Sequence, residues 1–336
     1  MNINFDKPIL IVGLGSIGRR HLKNLKTLGH KNFVLYRTGK STLPDKEIDD
    51  IPTEYDLAKA LAHKPIATII ANPTSLHIPV ALAAAQSGSH LFLEKPISHN
   101  LDGIDELQRL VRKNRLIVQV GFQFRFHPGL LYIKHLLEEN VIGRIVSISA
   151  HWGEYLPSWH PWEDYRQSYS AKKKLGGGVL LTLCHPFDYL RWLIGEATSV
   201  SAIESRSGGL EIDVEDTADV LVQFKSGAIG NVHLDYIERP AQHFVHIIGQ
   251  DGIIHWNNSD ASVKWRSGLN EKWKKKLAPK NFERNKLYLS EMRHFLDCIA
   301  KSEQPLCTLD DGIQALKIIL AGKISSSLSP RRTLKG

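Results

Sequence analysis

The sequence predicts an α/β fold: a doubly wound parallel sheet at the N-terminus, followed by an α+β domain with a large, open and mostly antiparallel sheet. Short apolar runs alternate with helical patterns through the first third of the chain, and a glycine-rich turn follows the first run. After about Gly121 the runs lengthen, and polar and apolar residues alternate within them. Since 336 residues suffice for two domains, we predict domains at residues 1–122 and 123–336.

The first domain is predicted from continuous apolar runs of the kind that fill buried parallel strands. The strands are expected at Pro8–Val12, Phe33–Tyr36, Ala67–Ala71, His90–Leu93 and Ile117–Val120. Helical patterns lie between them, one directly after the glycine-rich turn and others at Tyr55–Leu61, Pro79–Gln86 and Leu101–Val111. Asn100 is the predicted N-cap of the last helix, because its short amide side chain can accept a bond from an exposed amide.

The second domain is predicted from longer runs with the period of two that marks a half-exposed sheet. Its strands are expected at Arg144–Trp152, Ser199–Ser205, Ala218–Phe224, Ala228–Tyr236 and His243–Ile248. A tight hairpin is predicted at 225–228, and the lysine-rich stretch Leu269–Pro279 is predicted to be a charged loop. A helix is expected at about 309–325, and we expect it to pack back on the first domain.

Composition and charge narrow the functional classes. Hydrophobic residues make up 42% and charged residues 23%, and the formal net charge is +8. This mild excess suits an anionic cofactor or substrate, whereas the basic residues are too dispersed to predict nucleic-acid binding. No apolar stretch approaches the roughly 18–20 residues that span a bilayer, and no signal-peptide pattern is present. The three cysteines lack metal-type spacing, so we expect a cytoplasmic protein without a metal centre.

The turn Gly13-Leu14-Gly15-Ser16-Ile17-Gly18 has the G-x-G-x-x-G spacing, and it joins a predicted strand to a predicted helix. That context is what the dinucleotide-binding motif of the Rossmann fold requires. Gly13 permits the tight turn, Gly15 lets the backbone approach a diphosphate, and Gly18 lets helix and strand pack closely. Amides of Ser16 and Ile17 at the helix start add N–H donors. An ordinary glycine-rich connection is the alternative.

The end of the second strand bears on the choice of dinucleotide. NAD sites usually present an acidic residue there to the ribose 2′-hydroxyl. This chain instead has Arg37 and Thr38, with no acid among the neighbouring residues. A guanidinium fork suits a 2′-phosphate, and a hydroxyl can add a donor. We therefore predict NADP(H) in preference to NAD(H), with NAD(H) still open. The alternative is that Arg37 is a solvated residue at the strand end.

Further segments complete a pattern that resembles one known family. These are Asn72–His77, Glu94–Pro96, Gly121–Pro128 and Gly176–Leu181, the last leading into His185 and Asp188-Tyr189. Together they resemble the glucose–fructose oxidoreductase, inositol dehydrogenase and rhizopine catabolism (Gfo/Idh/MocA) family over nearly the whole chain. The stretch Trp159–Arg166 is similar to members linked to bacterial surface-sugar synthesis.

The resemblance implies a pyridine-nucleotide oxidoreductase that acts on a sugar or nucleotide sugar. It also implies assembly into homodimers or homotetramers through the open sheet of the second domain. In such folds the cofactor lies outside the carboxyl ends of the parallel strands. The residues implied to line it are Asn72, Pro73, Thr74, His77, Glu94, Lys95 and Gln123.

Lys95 is the first candidate for the chemistry, because hydride exchange at a carbinol carbon needs a group that handles the hydroxyl proton. An ammonium beside the nicotinamide could also stabilise developing negative charge. The alternative is a salt bridge with Glu94. His185 is the second candidate, since an imidazole titrates near neutral pH. Its alternative is a core histidine on an apolar helix.

Two departures from the family pattern bear on His185. Thr182 stands where the family usually has Asp, and a hydroxyl cannot act as a base near neutral pH. Pro186 follows His185, so the helix is expected to start there or to kink. Asp188 could substitute for the missing acid, although an ion pair with Arg191 is as consistent with the sequence.

Substrate contacts are predicted from the aromatic segment before the three glycines. Trp162 and Tyr165 offer aromatic faces for a sugar ring or a base, with core or lid packing as the alternative. Arg125 is predicted to meet a phosphate or carboxylate of the substrate, and Asp188 to contact it as well. The triple lysine Lys172–Lys174 is more typical of a solvated face.

Three functions follow from these observations. The first is hydride transfer between a nicotinamide cofactor and a sugar hydroxyl or carbonyl. Thr182 and Pro186 motivate a second, a non-catalytic NADP(H)-binding sensor or scaffold. The third is a cofactor-retaining eliminase or glycosidase, which some relatives exemplify.

Overall fold

The computed structural model describes residues 6–39 and 48–328. These residues fall into two compact units. The first has the limits Met1–His127, Lys174–Gly176 and Asn281–Ile313, and the second Pro128–Lys173, Gly177–Lys280 and Gln314–Gly336. The grouping differs from the predicted division at residue 122, because two later stretches of the chain return to the first unit.

Strands and helices run through both units. The strands are β1 (Ile9–Val12), β2 (Phe33–Tyr36), β3 (Thr53–Glu54), β4 (Ala67–Ile70), β5 (His90–Leu93), β6 (Val118–Val120), β7 (Ile145–Gly153), β8 (Ala197–Ser205), β9 (Thr217–Phe224), β10 (Ile229–Asp235), β11 (Gln242–Gly249), β12 (Gly252–Asn257), β13 (Ser262–Ser267) and β14 (Lys274–Lys276). The helices are α1 (Ser16–Thr27), α2 (Leu57–Ala62), α3 (His77–Gln86), α4 (Ile104–Lys113), α5 (Pro128–Glu138), α6 (Val179–Thr182), α7 (His185–Ile194), α8 (Asn285–Lys301) and α9 (Leu309–Leu328). Among the described residues, no helix has both the length and the apolar character needed to cross a bilayer.

The first unit is built on a six-stranded parallel sheet in the order β3-β2-β1-β4-β5-β6. The predicted doubly wound sheet is thus confirmed. All four residues of β1 are buried, because helices cover both faces of such a sheet. Helix α8 belongs to this unit because its apolar side, including Met292 and Phe295, joins the core beside Phe92. That packing is the reason the chain returns to the first unit after residue 280.

Two details of the first unit differ from the sequence predictions. Asn100 is not the N-cap of α4. The helix begins at Ile104, and its N-cap is Gly103 with φ +74°. The side chain of Asn100 instead donates to the carboxylate of Asp102. The two-residue strand β3 was not predicted, since a pair such as Thr53-Glu54 carries no hydrophobic periodicity.

The second unit contains an eight-stranded sheet in the order β14-β13-β12-β11-β7-β10-β9-β8. Only β7 and β10 pair in parallel, so the prediction of a mostly antiparallel sheet is confirmed. The predicted loop at 269–279 is wrong in part, because Lys274–Lys276 forms the edge strand β14. Lysines on an edge strand discourage further strand pairing, which is why a lysine run can occupy this position.

The sheet has one covered and one open face. Val220, Val232, Ala150 and Val245 lie in register across four neighbouring strands, and all are buried. The adjacent row points to the opposite, open face, where Leu221 remains 53% exposed. Helix α9 begins in the first unit, and its residues from Gln314 onward group with the second unit.

Candidate cofactor and substrate sites

The glycine-rich turn leaves bare backbone at the start of α1. Gly15 is the N-cap, and no side chain caps the helix. A Cβ on Gly15 would have no atom within 4 Å, whereas a Cβ on Gly13 would lie 2.7 Å from the backbone of Asn72. A Cβ on Gly18 would lie 1.9 Å from the carbonyl oxygen of Gly13. Gly13 and Gly18 are therefore required by the fold, and Gly15 keeps open space beside free amides, which fits a diphosphate.

Arg37 and Thr38 follow β2 at the edge of this region. Arg37 is partly buried and Thr38 is exposed. The backbone amide of Arg37 donates to the carbonyl oxygen of Glu54 on β3. Sequence inspection missed Glu54 because it lies far along the chain and reaches Tyr36 only through strand pairing. Its carboxylate is bonded at 2.9 Å to the ring of His63, so it already has a cationic or N–H partner.

The loop after β4 is organised by His77. Its Nε2 lies 2.8 Å from the carbonyl oxygen of Asn72, and its Nδ1 lies 2.9 Å from the carbonyl oxygen of Pro96. Burial lowers the pKa of His77, while the hydrogen bonds to these two carbonyl groups act to raise it. His77 therefore joins two loops at the carboxyl ends of β4 and β5. Thr74 is buried in the short helical turn before it, and Pro73 precedes that turn.

Glu94 and Lys95 lie at the carboxyl end of β5. The ring of His21 donates from Nε2 to Glu94 Oε1 at 2.7 Å, and the amide of Lys95 donates to Oε2 at 3.3 Å. Burial raises the pKa of Glu94, but the hydrogen bond and charge of His21 and the charge of Lys95 outweigh it, so the pKa is below its ordinary value. Glu94 is thus a buried carboxylate that links helix α1 to the backbone of Lys95.

His21 is a site residue that the sequence analysis missed. It lies three positions after Gly18 and is fully buried, with its ring edge against Phe92 at 4.9 Å. A histidine at a helix position that faces the sheet is the signal that could have found it, because a buried imidazole needs a polar partner.

Gln123 and Arg125 follow β6 and are both buried. Gln123 donates to the hydroxyl of Tyr288 at 3.1 Å. The guanidinium of Arg125 donates to the carbonyl oxygen of Leu306 at 2.6 Å and pairs with Asp311 at 3.2 Å. The charge of Arg125 is therefore paired inside the first unit, and its guanidinium holds the chain at the start of α9. The predicted contact of Arg125 with the substrate stays a prediction.

In the second unit, Gly177 and Gly178 stand where a larger residue would clash. Gly178 has φ +106°, and a Cβ there would lie 2.4 Å from the carboxylate of Glu215. A Cβ on Gly177 would lie 2.4 Å from the carbonyl oxygen of Tyr169. Glu215 Oε1 accepts from the amide of Leu180 and from Lys323 Nζ. The glycines therefore let a carboxylate sit against the start of α6.

The proline after His185 ends one helix and starts another. Helix α6 stops at Thr182 and α7 begins at His185, with Pro186 in its first turn. This confirms the expected break, since proline cannot continue the hydrogen bonding of α6 but suits a first turn. Thr182 is buried at the end of α6. Burial raises the pKa of the Tyr236 phenol well above its ordinary value, and the phenol donates to the carbonyl oxygen of Ser170 at 3.5 Å.

His185 is fully buried against aromatic rings. Its ring centroid lies 5.4 Å from that of Trp152, which stacks on His243 at 4.2 Å. The phenol of Tyr189 reaches Nε2 of His243 at 3.3 Å. His243 was not singled out from the sequence, because its proximity arises only from the pairing of β11 with β7.

The predicted substrate residues of the second unit differ in exposure, since Trp162 is exposed and Asp188 is buried. Trp162 is 56% exposed beside His160, and the hydroxyl of Tyr165 accepts from the amide of Glu211. Asp188 is buried in the first turn of α7. Arg191, the alternative partner predicted for Asp188, donates to both carboxylate oxygens of Glu196.

The first unit therefore collects the glycine turn, Asn72, Glu94 and Lys95 at the carboxyl ends of β1, β4 and β5, where doubly wound sheets bind ligands. The second unit by itself collects Thr182, His185 and Asp188 on and between two short helices.

Known proteins share this organisation. The chain is 27% identical to a myo-inositol 2-dehydrogenase of Thermotoga maritima, with 97% of each chain covered. It is 27% identical to a 2,7-anhydro-N-acetylneuraminate hydratase of Mediterraneibacter gnavus, over 73% of this chain and 65% of that protein.

Solved structures show the same fold. A levoglucosan dehydrogenase in complex with NADH and levoglucosan superposes with a TM-score of 0.85 at 20% identity, covering 97% of each chain. A Bordetella pertussis dehydrogenase in complex with NADH and UDP-GlcNAcA gives a TM-score of 0.79 at 20% identity, covering 96% of this chain and 97% of that one.

Two family profiles together span most of the sequence. Residues 7–122 match the profile described as "Oxidoreductase family, NAD-binding Rossmann fold", and residues 130–255 match the "GFO/IDH/MocA C-terminal domain". The order of the two profiles agrees with the parallel sheet of the first unit and the open sheet of the second. The chain therefore belongs to the Gfo/Idh/MocA family of oxidoreductases.

Proposed function

We propose that the chain is a nicotinamide-dependent dehydrogenase or reductase that exchanges hydride with a hydroxyl or carbonyl carbon of a sugar or nucleotide sugar. The observation that carries the proposal is the shared position of two features of the first unit. Open backbone at Gly15 and the side chain of Lys95 both follow strands of one parallel sheet at their carboxyl ends. The bound nicotinamide supplies or accepts the hydride, and the chain's own residues orient the sugar and handle its proton.

Lys95 is the proposed group that holds the reacting oxygen. Its backbone is fixed by the buried carboxylate of Glu94, which in turn is fixed by His21. A positioned ammonium stabilises negative charge that develops on the oxygen, and removing such a donor typically costs about 100-fold or more in rate. We propose His185 as the residue that exchanges the hydroxyl proton, with Thr182 supporting it in place of the acid usual in the family.

The direct test follows absorbance of the reduced cofactor with a panel of polyols, anhydrosugars and UDP-sugars. Turnover by the wild type and a fall of about 100-fold in kcat for Lys95→Met, with unchanged coenzyme affinity, support the proposal. Lys113, the exposed last residue of α4, provides a matched control, because Lys113→Met removes the same charge at a distant surface. Tight coenzyme binding without turnover over the whole panel would instead support the non-catalytic sensor.

For the coenzyme, we propose that NADP(H) is preferred to NAD(H). The support is Arg37 at the end of β2, together with the engagement of Glu54 by His63. Titration of both coenzymes against wild type and Arg37→Ala tests this. We expect the variant to lose about tenfold or more in NADP(H) affinity while NAD(H) affinity changes little. Equal losses for both coenzymes would remove the role of Arg37 in reading the phosphate.

For the substrate, we propose a carbohydrate whose ring or attached base packs on Trp162 and Tyr165, with Asp188 as a hydrogen-bond acceptor. The exposure of Trp162 leaves its face available for such packing. Trp162→Ala is expected to raise KM with little change in kcat, because stacking acts equally on ground and transition states. Arg125 is left out of this set because of its internal ion pair.

A redox-neutral reaction is the second candidate, and the relationship to an anhydro-neuraminate hydratase favours it. In that case a product would form with no net change in the reduced coenzyme. Chromatography of the same incubations distinguishes the two reactions, since absorbance alone cannot detect a coenzyme that is reoxidised in each cycle.

We also propose a homodimer or homotetramer that forms through the open sheet face in the cytoplasm. Leu221 and Ile229 are 53% and 57% exposed on that sheet, and apolar side chains of this kind are typical of covered surfaces. The three cysteines are buried thiols, as a reducing compartment allows. Light scattering of wild type and Leu221→Lys tests the assembly, and a monomeric wild type would exclude it.

A further inference from the structure

One cluster of metal-ligand side chains contains none of the residues assigned above. His151 on β7, His233 and Asp235 on β10 each offer a ligand atom, and these atoms lie within 4.8 Å of one another. The two imidazole rings stack across the parallel pair of strands, with centroids 4.8 Å apart. We propose that these three residues, with Glu238, bind one divalent cation of the Zn²⁺ class.

The donor set selects the class of metal. Two imidazoles with carboxylates are the ligands of Zn²⁺ and similar borderline cations, whereas Mg²⁺ and Ca²⁺ prefer oxygen donors alone. Zinc bonds of about 2.0–2.2 Å place tetrahedral ligands roughly 3.4 Å apart. Ligand atoms now within 4.8 Å would have to close by at most about 1.4 Å, which rotations of partly exposed side chains allow.

The carboxylates are already directed toward the rings. Asp235 Oδ1 accepts from the amides of Ile237 and Glu238, which leaves Oδ2 facing His233 Nε2 at 3.3 Å. Glu238 Oε2 lies 2.6 Å from His151 Nε2. A cation would replace the hydrogen bonds between these atoms and would balance the negative charge of the carboxylates.

Two further features favour a site over an incidental group of side chains. Asp219 Oδ1 lies 3.0 Å from His233 Nδ1, which is the outer partner that a metal-bound imidazole usually has. Gly153 leaves space between the carboxylates, since a Cβ there would lie 2.2 Å from Glu238 Oε2 and 2.3 Å from Asp235 Oδ2. His151 and His233 are 24% and 28% exposed, so a cation has a path to them.

The cluster lies on the same open face of the sheet as the apolar residues proposed to mediate assembly. His233 and Ile229 are four residues apart on β10, and Leu221 pairs with Asn231, two residues from His233. All four ligands come from one chain, so the metal site is complete without a residue from a partner.

The test is a Co²⁺ titration of tag-free, EDTA-treated and dialysed protein, followed by displacement with Zn²⁺. We expect visible absorption typical of tetrahedral Co²⁺ to saturate at about one equivalent per chain. Asp235→Asn and His233→Ala should weaken binding by about 100-fold, and Asp219→Asn by about tenfold, as expected for loss of a ligand and of an outer partner. Mg²⁺ should not displace Co²⁺.

A matched control lies on the same sheet. His246 and His255 also stack across neighbouring strands, with centroids 4.0 Å apart, and they have no place in the ligand cluster. His246→Ala should leave Co²⁺ binding unchanged. Loss of binding in this variant, or its retention in Asp235→Asn, would overturn the proposal.

A second readout covers variants that fold poorly. Zn²⁺ should raise the melting temperature of the wild type, because a ligand that binds only the folded state stabilises it. The rise should be absent in Asp235→Asn, while a cooperative melting transition of the metal-free variant, close to that of the metal-free wild type, shows that the variant is folded. No Co²⁺ band and no thermal shift in the wild type would reject the site without any variant.

Discussion

Replacing Gly15 and Gly18 by alanine should separate cofactor binding from folding, although both glycines belong to one motif. The Cβ of Gly18→Ala would lie 1.9 Å from the carbonyl oxygen of Gly13, and ordinary contact begins at 3.4 Å, so backbone must move by 3.4 − 1.9 = 1.5 Å. Overpacking of this kind costs about 3 kcal/mol, and the better helix propensity of alanine returns about 1 kcal/mol.

The net destabilisation of Gly18→Ala is therefore about 2 kcal/mol, or a melting temperature lower by roughly 4–8 °C. Gly15→Ala meets no atom within 4 Å, and its φ of −71° is open to alanine. In Gly15→Ala the weaker N-cap lowers stability, and the less flexible unfolded chain raises it by a similar amount. The melting temperature should therefore stay within about 2 °C of the wild-type value. The new methyl group would instead occupy the space proposed for the diphosphate, and affinity should fall about tenfold or more.

Scanning calorimetry of the coenzyme-free proteins and fluorescence titration with reduced coenzyme measure the two quantities separately. A loss of stability in Gly15→Ala as large as that in Gly18→Ala would contradict the separate roles of the two glycines. Coenzyme binding by Gly15→Ala as tight as that of the wild type would contradict the role of Gly15.

Three further predictions concern buried polar residues. Burial lowers the pKa of His127 to about 4, below the unfolded value of 6.5. The folded state therefore disfavours the proton, and the free energy of unfolding should fall by up to about 3 kcal/mol as pH falls from 6.5 toward 4. In urea unfolding, His127→Phe should reduce this dependence of stability on pH. Arg125→Met should cost about 3–5 kcal/mol, because Asp311 loses the guanidinium while it keeps its bonds to Thr308. The double variant with Asp311→Asn should regain part of this loss, since an amide removes the charge and can still accept from Thr308. An unchanged unfolding midpoint with a raised KM would support the substrate role. His21→Phe should lower the free energy of unfolding by about 2–3 kcal/mol. It should also move the acidic limb of the pH–rate profile to higher pH, because Glu94 loses the donor that lowers its pKa. An acidic limb that does not move would contradict the link between Glu94 and Lys95.

The order and type of most elements could be predicted from local patterns in the sequence. The apolar run of β1 and the spacing of Gly13, Gly15 and Gly18 identify a buried parallel strand and a helix start, because both signals are local. The break before His185 was likewise predictable, since Pro186 cannot continue a helix. Period-two alternation predicted the longer strands of the second unit. Strand β14 was not predicted, because its three lysines show no such alternation and it forms by pairing with β13.

The contacts between polar side chains, in contrast, depend on how the chain folds back on itself. His21 reaches Glu94 across 73 residues, and Arg125 meets Asp311 on a segment that returns to the first unit. The grouping of His151 with His233 depends on the register of β7 with β10. Hydrophobic periodicity predicts which face of an element is buried, but the partners of a buried charge depend on chain reversal and strand register, and no local pattern encodes those.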